Sequence, residues 1–201
     1  MLTYLYNIIF NPYFISFRVW MNTYRLFVTL WEIANNDQER LAAVQPLIYS
    51  VAMSSFAPYS FFLLSKNAIG YSSLINDIVY YGSIGFITSN IVLGNKYYRN
   101  IINNDRFSYI YKFINIGVIV YCNKYNKFNY IIIGLPFQIP MIIKYYGKLD
   151  NRCRNEMVYK LLYFIFRILY CILLIIIAIN HKLNDILLYL IVIFLYFLYN
   201  Y

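Results

Sequence analysis

The chain has 201 residues, of which 62% are hydrophobic and 12% charged, and its formal net charge is +9. A soluble domain is nearer half apolar and a quarter charged, so this chain has too few polar groups to cover a surface in water. The composition excludes an ordinary soluble domain. It predicts an all-α, polytopic transmembrane protein with about six or seven membrane segments.

Tyr, Phe, Ile, Asn and Lys are abundant, with 25 Tyr and 16 Phe. Their codons consist mostly of A and T, which indicates an AT-rich genome. A small, very hydrophobic protein from such a genome is typical of an organelle, and an AT-rich nuclear genome is the alternative. The first seventeen residues contain no Lys or Arg, so we predict no cleavable targeting segment. We therefore expect a multi-pass protein of the mitochondrial inner membrane.

Residues 1–40 are predicted to form an N-terminal segment that either lies at the membrane interface or spans weakly. Arg18 and Arg25 accompany Trp20 and Trp31 in its second half, and basic residues beside Trp suit an interfacial helix. The run 34–40 is the most polar in the chain and is expected outside the bilayer.

Residues 41–95 are predicted to form a packed helical pair, rich in the small residues Ala, Ser and Gly that let helices approach closely in lipid. Pro46 fits the first turn of the first helix, and Pro58 is expected to kink it. The second stretch, Asn67–Asn95, holds Asp77 as its only charge.

Residues 96–160 are predicted to be basic loops around two short or bent membrane segments, 113–123 and 128–143. Pro136 and Pro140 predict that the second is bent or re-entrant. Residues 161–201 are predicted to form a transmembrane hairpin that is apolar all round, with Arg167 inside its first span.

The remaining basic residues alternate between the predicted sides of the membrane. One side holds Arg18, Arg25, Arg40, Lys96, Arg99, Arg106, Lys112, Lys144, Lys148, Arg152, Arg154 and Lys160; the other holds only Lys66, Lys124, Lys127 and Lys182. The positive-inside rule places the richer side in the matrix or cytoplasm. Topology thus accounts for the net charge, and no nucleic-acid partner is predicted.

The sequence offers no catalytic, metal or cofactor site. The single histidine, His181, falls in a predicted loop, and the cysteines Cys122, Cys153 and Cys171 lack zinc or iron–sulfur spacing. No nucleotide-binding fingerprint is present. We therefore expect no cofactor and no enzyme activity from the chain by itself, although it could belong to an enzyme complex.

Two sets of residues are candidates for function. Asp77 sits among aliphatic residues, where a carboxylate near the bilayer centre would mark a proton path; alternatively, its span starts at Ile78 and Asp77 lies near the headgroups. Lys144, Lys148, Arg152 and Arg154 are candidate contacts for anionic lipid headgroups, with a topology signal as the alternative explanation.

The run Val79-Tyr80-Tyr81-Gly82-Ser83-Ile84 resembles the Tyr-x-Gly-Ala-(Val/Ile) signature in the third helix of NADH:ubiquinone oxidoreductase chain 6. Gln45-Pro46 followed by Ser50 is similar to the turn that opens that family's second helix. The resemblance implies a subunit of the proton-translocating membrane arm. It places Tyr80 and Gly82 at a π-bulge that connects or breaks a proton path.

Three functions follow as hypotheses. The first is a subunit similar to chain 6 of respiratory complex I. The second is a lineage-specific structural or accessory subunit of a respiratory complex or ATP synthase. The third is a small transporter or translocase, for which internal repeats and broken helices would be typical. The first two predict hydrophobic neighbouring subunits and anionic lipid as partners.

Overall fold

Helices are the regular elements of this protein, as seen in a computed structural model that describes residues 11–65, 73–99, 106–125, 129–180, 184–199 and 201. The α-helices are α1 (Pro12–Leu30), α2 (Gln38–Ser54), α3 (Ala57–Ser65), α4 (Ser73–Tyr97), α5 (Arg106–Lys124), α6 (Asn129–Ile133), α7 (Ile139–Leu149), α8 (Glu156–Tyr163), α9 (Tyr170–Asn180) and α10 (Asn184–Tyr199). Two 3-10 turns, Leu135–Gln138 and Asn151–Cys153, and a π-helical turn, Phe164–Leu169, complete them. The predicted all-α class is confirmed, and His181 lies outside the described residues.

Side-chain caps fix where several helices begin. Asp37 accepts a hydrogen bond from the backbone N–H of Arg40 at 3.2 Å and so starts α2. Asn155 does the same for the N–H of Val158 at the start of α8, at 3.0 Å. Each cap satisfies an N–H that has no partner within its own helix.

One expectation about proline was wrong and the other is confirmed. Because Asp37 starts α2 at Gln38, Pro46 lies inside this helix and not in its first turn. The helix is interrupted before Pro58, as expected: α2 ends at Ser54, residues 55–56 form a turn, and Pro58 is the second residue of α3. A proline at that position removes an N–H that no helical bond needs.

The helices pack as two groups joined by the segment 129–149. In the first group α1 lies along α4, and α2 contacts α4 and lies along α7. In the second, α9 and α10 form the predicted hairpin, with the π-helical turn between α8 and α9 packed on α10. The packed centre therefore includes α1 as well as α2 and α4.

Within the described residues, one helix is long and apolar enough to cross a membrane. It is the continuous helix Glu156–Asn180, with a mean hydropathy of 2.8 over its most apolar stretch, and the shorter apolar helix Leu187–Tyr199 follows it. Six or seven such helices were expected. The shortfall has a physical reason: residues 38–65 and 129–149 are each broken into shorter helices, and polar residues lower the hydropathy of α4 and α5.

Candidate functional site

Helix α4 carries the first predicted site, and it is a regular α-helix from Ser73 to Tyr97. Asp77 is exposed on it. Tyr80 is 5% exposed, and its hydroxyl lies 2.9 Å from that of Tyr13 in α1. The carbonyl oxygen of Gly82 accepts a hydrogen bond from Trp20 Nε1 at 2.8 Å.

The prediction of an irregular turn at Gly82 is therefore wrong. Trp20 donates to this carbonyl in addition to the helix's own bonds, and the backbone stays α-helical. The π-helical turn lies in another helix, at Phe164–Leu169, and contains Arg167. Such turns are rare and often mark functional sites, which makes the helix Glu156–Asn180 a candidate for function.

The structure divides the four basic residues of the second predicted site into two pairs. Lys144 and Lys148 lie four residues apart on α7, hence on one face, and both line a cavity. Arg152 and Arg154 are exposed in the turn that follows. Arg154 forms an exposed ion pair with Glu156, with 2.8 Å between Nη2 and Oε1.

A buried polar network connects α2, α4 and α5, and the sequence analysis did not identify it. Gln45 is fully buried; its amide nitrogen donates to Ser89 Oγ, and its amide oxygen accepts from Asn90 Nδ2 at 3.1 Å. Asn90 Oδ1 in turn accepts from Lys112 Nζ at 2.6 Å, and Asn90 Nδ2 also donates to the hydroxyl of Tyr98. Polar residues within apolar stretches were the signal available in the sequence.

The broken helix 129–149 exposes backbone carbonyls that other helices satisfy. In an α-helix the carbonyl of Ile132 would accept from the N–H of residue 136, but Pro136 has none. Ser60 Oγ of α3 takes its place, at 2.6 Å from the Ile132 oxygen. The Ile133 carbonyl accepts from the hydroxyl of Tyr170 at 2.8 Å. Broken helices exist at membrane depth only where the freed groups find such partners.

Arg167 binds the backbone of the 3-10 turn that follows α6 in this broken helix. Its Nε donates to the carbonyl of Phe137 at 3.1 Å. Its guanidinium lies over the rings of Tyr163 and Phe197, at 5.1 Å and 4.7 Å from their centroids. Within the described chain, no carboxylate pairs with this cation, and Nε is the one nitrogen of the guanidinium with a hydrogen-bond acceptor.

A partly open cavity of about 500 Å³ lies where these features meet. Four cations line it, namely Lys112, Lys144, Lys148 and Arg167, whereas none of the described lining residues is Asp or Glu. Its other lining residues include Tyr163, apolar side chains such as Leu174, Leu190 and Ile193, and polar ones such as Asn115 and Gln138. The size is typical of a small-molecule site, and the charge is that of a site for an anion.

Comparison of the chain with protein-family models, with curated proteins and with solved structures gives no match. The candidate site therefore rests on its own geometry.

Proposed function

We propose that the chain is a multi-spanning subunit of a large respiratory assembly in the mitochondrial inner membrane. The observation that carries the proposal is the distribution of polarity. Polar side chains such as Gln45, Ser60 and Asn90 are buried between helices, while the outer faces expose large apolar residues, including Leu26, Phe113, Leu188 and Leu195. A protein surrounded by water has the opposite arrangement, because exposed apolar patches on soluble proteins are small.

The proposal includes more membrane spans than the one helix that, among the described residues, is long and apolar enough to cross a membrane. Helix α4 has 25 residues, which makes it about 37 Å long at 1.5 Å per residue, enough to cross a hydrocarbon core of ~30 Å. Its Ser83, Ser89 and Asn90 face other helices. They lower its mean hydropathy without meeting lipid.

The respiratory assignment is supported by composition and by the surface of the C-terminal hairpin. The abundance of Tyr, Phe, Ile, Asn and Lys is typical of an organelle-encoded membrane subunit. The hairpin exposes apolar residues along both helices, including Ile172, Ile176, Val192 and Leu198. Such a surface suits lipid and neighbouring hydrophobic subunits, and the exposed basic loop around Arg152 suits anionic headgroups.

In its most specific form, the proposal is a subunit similar to chain 6 of complex I. Its support is the burial of Tyr80 on a central helix. The regular α-helical backbone at Gly82 favours the alternative of a structural or accessory subunit. The break at 129–149, with its freed carbonyls satisfied by side chains, favours a small transporter as the second alternative.

Native electrophoresis of gently solubilised organelle membranes tests the assignment. We expect the 24.1 kDa chain to migrate in a band many times larger than itself, and mass spectrometry of that band to find respiratory subunits. Complex I subunits in the band would support the chain 6 form. Migration as a stable monomer with transport activity would overturn the proposal and favour the transporter.

A further inference from the structure

We propose that the cation-lined cavity binds the phosphate group of one anionic phospholipid, with the lipid's apolar chain lying toward Leu174 and Leu190. This proposal rests on the membrane setting proposed above. It differs from the headgroup contacts expected for the basic loop, because the site is built between helices and its deepest cation is Arg167. Arg152 and Arg154 have no part in it.

The first argument is charge. Arg167 and Lys148 both face the cavity, and neither forms an ion pair with a described residue. Counting from Glu156, Arg167 lies about 16 Å along its helix, roughly at the middle of a bilayer. A cation at that depth is costly unless a partner compensates it. The cation–π contacts to Tyr163 and Phe197 stabilise one side of the guanidinium and leave its terminal N–H groups for an anion.

The second argument is the order of the lining residues along the membrane normal. Lys144 Nζ lies 6.0 Å from the ring centroid of Tyr159, near the start of the helix. Arg167 follows about 12 Å further along the axis, and Leu174 about 10 Å beyond that. Along this helix the lining thus changes from cationic to apolar. A ligand that matches it has a charged head and an apolar tail.

The third argument concerns the type of anion. Arginine recognises phosphate through several parallel N–H donors, and lysine adds a point charge. The cavity offers both residue types. A soluble phosphate ester offers the same phosphate group but has no apolar chain to contact the end of the cavity at Leu174 and Leu190. The lining therefore favours the phospholipid.

Photo-crosslinking tests this assignment. Membranes that contain the full chain are supplied with phosphatidylglycerol carrying a photoreactive group early in its acyl chain, and crosslinked peptides are identified by mass spectrometry. We expect crosslinks to the walls around Leu174 and Ile193, and we expect phosphatidylcholine with the same photoreactive group to give far fewer. Equal yields from the two lipids would overturn the proposal.

Three variants test whether the lipid is recognised in the cavity. Lys148→Gln removes an exposed cation that makes no described contact, so we expect unchanged folding and about a fivefold loss of crosslinking. Arg167→Gln should lower it about tenfold, while the control Arg154→Gln, outside the cavity, should leave it unchanged. An equal loss in the control, or no loss in Lys148→Gln, would overturn the proposal.

Competition distinguishes the two sources of phosphate. Glycerol 3-phosphate at the lipid's concentration should not reduce crosslinking; if it abolishes crosslinking, the site belongs to a soluble phosphate ester and the lipid assignment fails. Native electrophoresis of the same samples keeps the two proposals separate. A monomeric chain that still crosslinks phosphatidylglycerol would contradict the proposed assembly but not the lipid site.

Discussion

At the scale of single residues, Gln45 and Asn90 decide how α2 and α4 meet. Both amides are buried, and the oxygen of one accepts from the nitrogen of the other at 3.1 Å. An apolar pair at these positions would fill similar space but specify no rotation of either helix. The two amides therefore fix the rotation of α2 relative to α4. The hydrogen bond from Lys112 to Asn90 connects α5 to the same pair.

A double-mutant cycle measures the coupling between these two residues. Asn90→Leu leaves Gln45 and Lys112 without one partner each, and we expect it to lower the free energy of unfolding by about 1–3 kcal/mol. Gln45→Leu combined with Asn90→Leu should lose less than the sum, with a coupling of roughly 0.6–1.7 kcal/mol. Unfolding in detergent provides the measurement. Asn123→Leu, at an exposed position on α5, serves as the control, and strict additivity would contradict the network.

At the scale of elements, α1 and α4 approach each other closely at Gly85. A Cβ added there would overlap the hydroxyl oxygen of Ser16 and lie 2.8 Å from its backbone carbonyl carbon. Ser16 also donates to the carbonyl of Tyr81 at 2.7 Å, and Trp20 donates to that of Gly82 one turn further along α1. Because Gly85 has no side chain, α1 can approach α4 closely enough for these two hydrogen bonds to form.

Two glycine substitutions on α4 should therefore differ sharply. Gly85→Ala must move the backbone of α1, so we expect a loss of about 1–3 kcal/mol in unfolding free energy. Gly82→Ala is the matched control: its new Cβ meets only the flexible Cε of Met53, at 3.2 Å, and the gain in helix propensity of ~0.5–1 kcal/mol should offset the contact. Thermal unfolding compares the two, and similar losses at both positions would contradict the packing of α1 on α4.

At the scale of the whole molecule, the topology of the chain can be read from one cysteine. Cys153 is exposed in the basic turn after α7, whereas Cys122 and Cys171 are buried. A reagent that cannot cross membranes should therefore react with one thiol of the folded chain. The side on which it reacts reports the location of the loop 144–160.

In the proposed inner-membrane setting, the positive-inside rule predicts that this loop lies in the matrix. We expect an impermeant maleimide to leave Cys153 unlabelled in mitoplasts, whose inner membrane is intact, and to label it in inverted vesicles. Cys153→Ser should abolish the label in both preparations, which identifies the site. Labelling in intact mitoplasts would reverse the topology and with it the positions assigned to the basic loops.

Periodicity and composition determined the helical class, the C-terminal hairpin and the break at Pro136, because each depends on local chemistry: apolar runs, short polar loops and a missing N–H. Two predictions made from the local sequence, at Pro46 and at Gly82, were wrong. Pro46 lies within α2 because Asp37 caps the helix earlier, and the backbone stays regular at Gly82.

The candidate site was decided by tertiary structure. The sequence predicted Lys148 to lie in a basic loop and Arg167 to be an isolated charge within a span. Neither position indicated that the two residues share a ligand. They line one cavity because the break at 135–138 folds α7 toward the hairpin, with Arg167 bound to the carbonyl of Phe137. Such a contact joins residues thirty positions apart. No pattern within a single helix encodes it, because it depends on how two apolar faces pack.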